Sequence, residues 1–305
     1  MSNFGKKLTI AAPAKLNLHL AVKDRRPDGF HNLESLFLAL AFGDTLHFEL
    51  PAETNTLEIN MEAENGQAGS DIPLEKNLIF KAVSLFRGKT GYDQGIRITV
   101  EKRIPPGSGM GGGSSDAAST LLALNRLAAE SAPAGFPLSR EALLQTAASL
   151  GSDVPFFVSQ TGAAWVSGRG ESVSPVKTPR CFFVLVNPGF SSDTAAAYRL
   201  LDEYRACSTE TPDAVTGQPL LDALAGSPKS WPFKNDFLPV FQDGEKSVYI
   251  EIISQLKQLG AGFSGLSGTG STCFGVFTEE AQAVKAADAL SKSWNWVQLA
   301  QPVNL

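Results

Sequence analysis

KRIPPGSGMGGGSSDAAST, residues 102–120, is the stretch that organises the rest of the chain. From Gly107 to Gly113 every position is glycine except Ser108 and Met110. Upstream, Ile96, Ile98 and Val100 alternate with Arg97, Thr99 and Glu101, the period-two signature of a strand with one buried face. Downstream, Ala117, Leu121, Leu124 and Ala128 recur at helical spacing, with Ser114, Ser115 and Asp116 as cap or first-turn residues. The order strand, glycine-rich loop, helix start has a physical use. The first turn of a helix leaves backbone N–H groups unpaired and carries the positive end of the macrodipole. Glycines, lacking a Cβ, let a loop take φ > 0 and turn its own N–H groups toward an anion. The loop therefore reads as a phosphate cradle. Pro105-Pro106 before it and the patterned helix after it argue against a flexible linker.

The 305 residues, 43% hydrophobic and 19% charged, fit a globular protein with a substantial core, and the length predicts two domains. A net charge of −5 and a pI near 5.3 argue against nucleic acid or an anionic membrane as partner. The longest apolar runs, LFLALAF (36–42) and CFFVLV (181–186), are far shorter than a bilayer span. MSNFGKKLTIAAPAKLNL (1–18) lacks the continuous apolar core of a signal peptide, so a cytoplasmic protein is expected. Cys181, Cys207 and Cys273 are odd in number and widely spaced, which predicts reduced thiols. His19, His31 and His47 show no HxxxH or CxxC spacing, so no protein metal site is expected.

Near the start, Lys15, Asn17 and His19 alternate with Leu16, Leu18 and Leu20, a strand whose polar face either meets solvent or lines a cleft. DRRPDGFHNLES (24–35) reads as a polar loop carrying Phe30 and His31, followed by strand-like segments at 44–50 and 56–61. Residues 77–86 read as a helix ending at Gly88. Gly88-Lys89-Thr90 is not a Walker A motif, because Val83 stands where that motif needs glycine and a helix precedes it. Ser139 caps a helix over 141–150 that Gly151 closes, and Asp153 follows in SDVPFFV (152–158). Residues 165–179, rich in Gly, Ser and Pro, read as a surface connection, which places a domain boundary near 176 and divides the chain into 1–175 and 176–305. Beyond it, strands at 181–186 and 296–299, and a second glycine-rich turn joined to a strand over 265–277, alternate with helices at 194–204, 245–259 and 279–290.

Gly107, Gly109 and Gly112 satisfy GxGxxG. A Rossmann loop turns directly off its strand, whereas Arg103, Ile104 and the proline pair intervene here, and Glu130 is the only acid near the ribose spacing. A protein-kinase lid would require HRD and DFG downstream, and neither occurs. PPGSGMGGGSSDAA (105–118) instead resembles the central motif of the GHMP kinases, small-molecule kinases in which a glycine-rich loop at a helix start wraps the phosphates of ATP. PAKLNLHL (13–20) and GLSGTGS (265–271) resemble two further motifs of that superfamily, in the right order. Within it the chain is most similar to the branch that acts on 4-diphosphocytidyl-2-C-methyl-D-erythritol, in PDGFHNLES (27–35), EKNLIFKA (75–82), SSDAA (114–118), LGSDVPFFV (150–158) and KNDF (234–237).

The resemblance implies an α/β (α+β) fold of two domains, the first like the second domain of ribosomal protein S5 and the second ferredoxin-like, with the active site between them. It implies phosphoryl transfer from ATP to an alcohol, with Asp153 as general base and Lys15 as the cation that orients it. Pro105, Pro106, Gly107, Ser108, Gly109, Met110, Gly111, Gly112, Gly113, Ser114 and Ser115 would hold the phosphates, with Asn77 and Lys102 near the nucleotide. Mg²⁺ would accompany ATP, with Ser115 its nearest side chain and no protein cage around it. Phe30 and Tyr198 would sandwich the cytosine, His31 would read its edge, and Asn17 would contact the methylerythritol portion. Phe30 stands where the branch often has tyrosine; stacking survives that change and a hydroxyl contact does not. On their own, Asp153 reads as a helix cap and Lys15 as a solvated lysine. The alternatives are a kinase for another alcohol, such as homoserine or mevalonate, or a non-catalytic nucleotide- or RNA-binding module. The acidic pI and the presence of both Lys15 and Asp153 speak against the module. A small-molecule substrate is expected, for a monomer or homodimer with no nucleic-acid or membrane partner.

Overall fold

Two alternating apolar tracts near the N-terminus fold as β1 (Lys7–Arg25) and β2 (His31–Glu49), antiparallel and paired along most of their length. The computed structural model describes residues 5–63, 73–131, 137–207 and 217–303. β3 (Leu57–Ala63) runs parallel to β4 (Ile96–Lys102), which pairs antiparallel with the far end of β2. The near end of β2 takes the hairpin β5 (Ala163–Gly168) and β6 (Ser172–Pro175). On this sheet lie α1 (Leu78–Thr90), α2 (Gly112–Ser131), α3 (Arg140–Leu150) and α4 (Val154–Ser159).

A second, antiparallel sheet begins at β7 (Phe182–Asn187) and adds β8 (Phe263–Leu266), β9 (Cys273–Phe277) and β10 (Trp296–Ala300), in the order β10-β7-β9-β8. Counted within this unit the strands run fourth, first, third, second, the ferredoxin-like arrangement. Its outer face carries α5 (Thr194–Cys207), α7 (Asp243–Gln258) and α8 (Glu280–Leu290), while α6 (Gln218–Leu224) contributes Leu220 and Leu224 to the core between the sheets.

In that shared core Leu16, Leu18, Leu36 and Leu38 of the first sheet meet Phe183, Leu185, Phe274 and Val276 of the second. Each such side chain contributes about 1.5–3 kcal/mol when fully buried. Both faces of β1 are thus covered, and its polar residues are not a solvent face: Lys15, Asn17 and His19 are all buried. Nor do the three share one environment. The pairing of β1 with β2 shifts register between Asn17 and His19, and past that shift His19 packs against Trp165 and Phe233.

Other departures from the sequence reading have local causes. Residues 165–179 include the β5–β6 hairpin, because Trp165 and Val166 pair with β2 and Gly168 and Gly170 supply a turn at positive φ. The polar loop ends at Phe30, and His31 already belongs to β2. α1 runs through Gly88 and stops at Gly91, whose φ of 70° makes the left-handed cap. Buried Phe86, and Arg87 bonded to the carbonyls of Thr56 and Gln94, outweigh the roughly 1 kcal/mol cost of a mid-helix glycine.

Candidate active site

The glycine-rich loop leaves β4 and enters α2 with Gly107, Gly109 and Gly111 at φ of +62°, +74° and +71°. At Gly109 the need for glycine is steric as well: a Cβ would lie 2.1 Å from the Ser267 carbonyl oxygen. The loop is held from behind by the second glycine-rich turn. Ser267 Oγ donates to Gly109 O at 2.9 Å, Thr272 N to Ser108 O at 3.1 Å, and Ser192 N to Gly107 O at 2.9 Å. Met110 is fully buried between the sheets, and its carbonyl accepts from Lys15 N at 3.0 Å, which sets β1 against the loop. With these carbonyls tied back, the loop and the first turn of α2 face a cavity of about 530 Å³, within the usual range of small-molecule sites.

Lys15, Asn17, Asn77, Lys102, Pro105 to Gly109, Gly111 to Ser114, Asp153 and Tyr198 all line that cavity. Phe30, His31, Met110 and Ser115 do not. Lys15 Nζ lies 3.4 Å from Asp153 Oδ2, donates to Asn17 Oδ1 at 2.5 Å and sits 4.8 Å over the Phe37 ring. Asp153 occupies the N-cap position of α4 yet makes no capping hydrogen bond. Its carboxylate therefore turns to Lys15, and neither the cap nor the solvated-lysine reading survives. Asn17 is engaged at both ends, since its Nδ2 donates to Ser35 Oγ at 2.9 Å.

Lys102 pairs with two carboxylates, Asp44 and, at 2.8 Å, Asp116. The other oxygen of Asp44 accepts from Arg103 N at 2.6 Å and Ile104 N at 2.8 Å, fixing the chain where it leaves β4. Asp116 is thus an ion-pair partner and not a cap. Burial pushes its carboxyl up to about 7; Lys102 opposes that shift and Asp44 adds to it. Burial lowers Lys102 itself, but Asp116 and Asp44 together outweigh that and raise it. Asn77 caps α1, its Oδ1 accepting from Ile79 N at 2.8 Å.

The aromatic end is arranged differently from the expected sandwich. Tyr198 stacks on His31, with ring centroids 5.2 Å apart and planes at 22°, and meets the edge of Phe237 at 4.9 Å. His31 Nε2 is 2.8 Å from Asp202 Oδ1. Phe30 is exposed, with the Arg169 guanidinium 5.2 Å over its ring. Burial, with some help from Asp153, pushes the Tyr198 phenol up to about 12. Asp44 and Asp202 carry no sequence signal, and Ser35 and Ser267 lie within the PDGFHNLES and GLSGTGS motifs without an assigned role. Asn235 was quoted within KNDF without a role; its Nδ2 donates to the carbonyls of Leu266 and Gly268 at 2.8 Å each and so holds the second glycine turn.

Comparison with known proteins matches the descriptions "GHMP kinases N terminal domain" over residues 77–161 and "GHMP kinases C terminal" over 243–295. A 4-diphosphocytidyl-2-C-methyl-D-erythritol kinase of Burkholderia mallei is 36% identical over 291 residues, covering 93% of this chain and 90% of that protein. The chain belongs to the 4-diphosphocytidyl-2-C-methyl-D-erythritol kinase family of GHMP kinases. A crystal structure of a 4-(cytidine 5'-diphospho)-2C-methyl-D-erythritol kinase superposes with a TM-score of 0.77 at 31% identity, covering 98% of this chain and all of that one, 100%. Homoserine kinase from Cytophaga hutchinsonii, at 16% identity and a TM-score of 0.68, with 99% and 96% covered, shares the fold. This GHMP kinase is accordingly a small-molecule kinase with ATP as its phosphoryl donor.

Proposed function

We propose that the chain transfers the γ-phosphoryl group of ATP to the 2-hydroxyl of 4-diphosphocytidyl-2-C-methyl-D-erythritol, a step of the non-mevalonate isoprenoid pathway. The observation that carries the mechanism is the Lys15–Asp153 contact at 3.4 Å on a cavity that the glycine-rich loop also lines. An alcohol is a weak nucleophile at neutral pH and has to be held in line with the γ-phosphate while its proton leaves. Asp153 takes that proton on its carboxylate. Lys15, anchored by Asn17, orients Asp153 and stabilises the charge developing on the substrate oxygen. The oxygen–phosphorus bond forms as the bond from the γ-phosphorus to the bridging β-oxygen breaks, and ADP leaves.

Pro105 to Gly109 and Gly111 to Ser114 cradle the phosphates, with Asn77 and Lys102 beside the nucleotide. Among the described residues no cluster of three or more His, Cys, Asp or Glu could form a metal cage. Asp116, which lines the cavity and whose Oδ1 has no hydrogen-bond partner, is the side chain that would hold Mg²⁺ arriving with the phosphates; Ser115, whose Oγ also has none, is fully buried and does not line the cavity. Mg²⁺ would neutralise phosphate charge there. Tyr198 and His31 form the base-recognition end, with Phe30 at its rim. The functional division of the chain falls near residue 176, between β6 and β7. Among the described residues no helix is long and apolar enough to cross a membrane.

ADP release across a panel of alcohols that includes the cytidyl substrate tests this reading. Turnover with the cytidyl compound and none with homoserine or mevalonate is expected. Turnover with homoserine alone would overturn the substrate, and no turnover with any alcohol would overturn the kinase mechanism.

A further inference from the structure

The sequence marks Lys15 and Asp153 as a pair but offers nothing that aims the lysine. The aim comes from a chain of buried hydrogen bonds whose direction can be deduced. The backbone carbonyl of His19 can only accept, so Ser35 Oγ, 2.5 Å away, gives it its single proton. Ser35 Oγ is then left with lone pairs toward Asn17 and must accept, which it does from Asn17 Nδ2 at 2.9 Å. An amide that presents its NH₂ to Ser35 has to present its carbonyl oxygen the other way, and there Lys15 Nζ donates to it at 2.5 Å. Ser35 is 0% and Asn17 3% exposed, so water does not substitute for either bond.

We infer that Ser35 is a positioning residue for phosphoryl transfer: its hydroxyl anchors the NH₂ end of the Asn17 amide whose oxygen takes Lys15, and thereby holds Lys15 against Asp153. The two ends of an Asn amide are nearly equal in shape, and only hydrogen bonding distinguishes them. Without the Ser35 hydroxyl Asn17 Nδ2 loses the acceptor that anchors it, and the amide, still bonded to the ammonium through its oxygen, is free to move together with Lys15. Lys15 then drifts from Asp153 while the cavity keeps its shape. This inference rests on the proposed roles of Lys15 and Asp153.

Ser35→Ala, Ser35→Thr, Asn17→Ala and the double variant Ser35→Ala/Asn17→Ala test it, by steady-state kinetics with ATP and the cytidyl substrate. Ser35→Ala should lower kcat by about 10- to 100-fold with KM for ATP within about twofold, and Ser35→Thr, which keeps the hydroxyl, should recover most of the loss. In the Asn17→Ala background, removing Ser35 should change kcat by less than about twofold, because its route to Lys15 is already gone. A Ser35→Ala enzyme within about twofold of wild type, or a double variant that multiplies the two losses, would overturn the inference. If the methyl of Thr prevents folding, the Asn17→Ala background decides. If the wild type itself turns over no alcohol, the kinase mechanism falls separately. A crystal structure of Ser35→Ala then decides: Lys15 displaced from Asp153 supports the positioning role, and an unmoved Lys15 refutes it.

Discussion

Two lysine–aspartate clusters border the same cavity and differ in how many carboxylates each lysine serves. Lys15 serves one, Asp153, whose side chain is 28% exposed and makes no capping bond. Lys102 serves two, Asp44 and Asp116, at 0% and 3% exposure, and Asp44 is also bonded to the backbone N–H groups of Arg103 and Ile104. The first carboxylate has lone pairs open to the cavity and can accept a proton from a ligand. The second cluster spends most of its capacity inside the protein, holding the glycine loop to β2 and β4. Identical residue types thus divide into a cavity-facing pair, the one proposed to react, and a buried clamp, according to exposure and hydrogen-bond saturation.

The largest effect should come from breaking the clamp. Asp44→Ala leaves a buried lysine short of a partner and two loop N–H groups unpaired, and should cost about 3–5 kcal/mol of stability in denaturant unfolding. A loss below about 1 kcal/mol would show that the Lys102 cluster is not the anchor. Asp153→Asn should do the reverse. Its stability and its KM values for ATP and the alcohol should stay near wild type while turnover falls at least about 100-fold, about 2.7 kcal/mol in the barrier. Retention of more than half of normal turnover would remove Asp153 from the role of base.

How much of this was legible in the sequence follows from what each residue depends on. The loop, its strand and its helix start were readable because glycine geometry and apolar periodicity are local. GLSGTGS and KNDF were visible as motifs, but their use, clamping the back of the loop through Ser267 and Asn235, depends on a contact between the two sheets. Asp44 carries no motif at all; its partners Lys102 and Asp116 lie 58 and 72 residues away, as numbering shows. The alternation of Lys15, Asn17 and His19 suggested one polar face, and a register shift in β1 that no propensity announces sends His19 elsewhere. Gly88 looked like a helix end because composition cannot weigh the tertiary anchors of Phe86 and Arg87.

A smaller effect separates the clamp from the rest of the buried polar set by pH. In the fold, burial lowers His19 from 6.5 to about 4, with Asp236 opposing the shift and Lys234 and Lys23 adding to it. As pH falls from 6.5 toward 4 the unfolded chain therefore takes up a proton that the folded chain refuses, and stability is lost, about 2 kcal/mol by pH 5. Asp116 acts with the opposite sign. Its carboxyl is raised in the fold, so between about 7 and 3.8 the folded chain binds the proton first and acidification adds stability. The two slopes oppose each other in wild type. Asp116→Asn should remove the gain, making the variant lose stability more steeply than wild type on acidification. His19→Gln should remove the loss, so that its stability relative to wild type rises as pH falls from 6.5 to 4. Urea midpoints from pH 7.5 to 4.5 measure both. Curves parallel to wild type for Asp116→Asn would mean that Lys102 keeps Asp116 ionised throughout, and the clamp would then be a conventional ion pair instead of one lysine shared between two buried carboxyls.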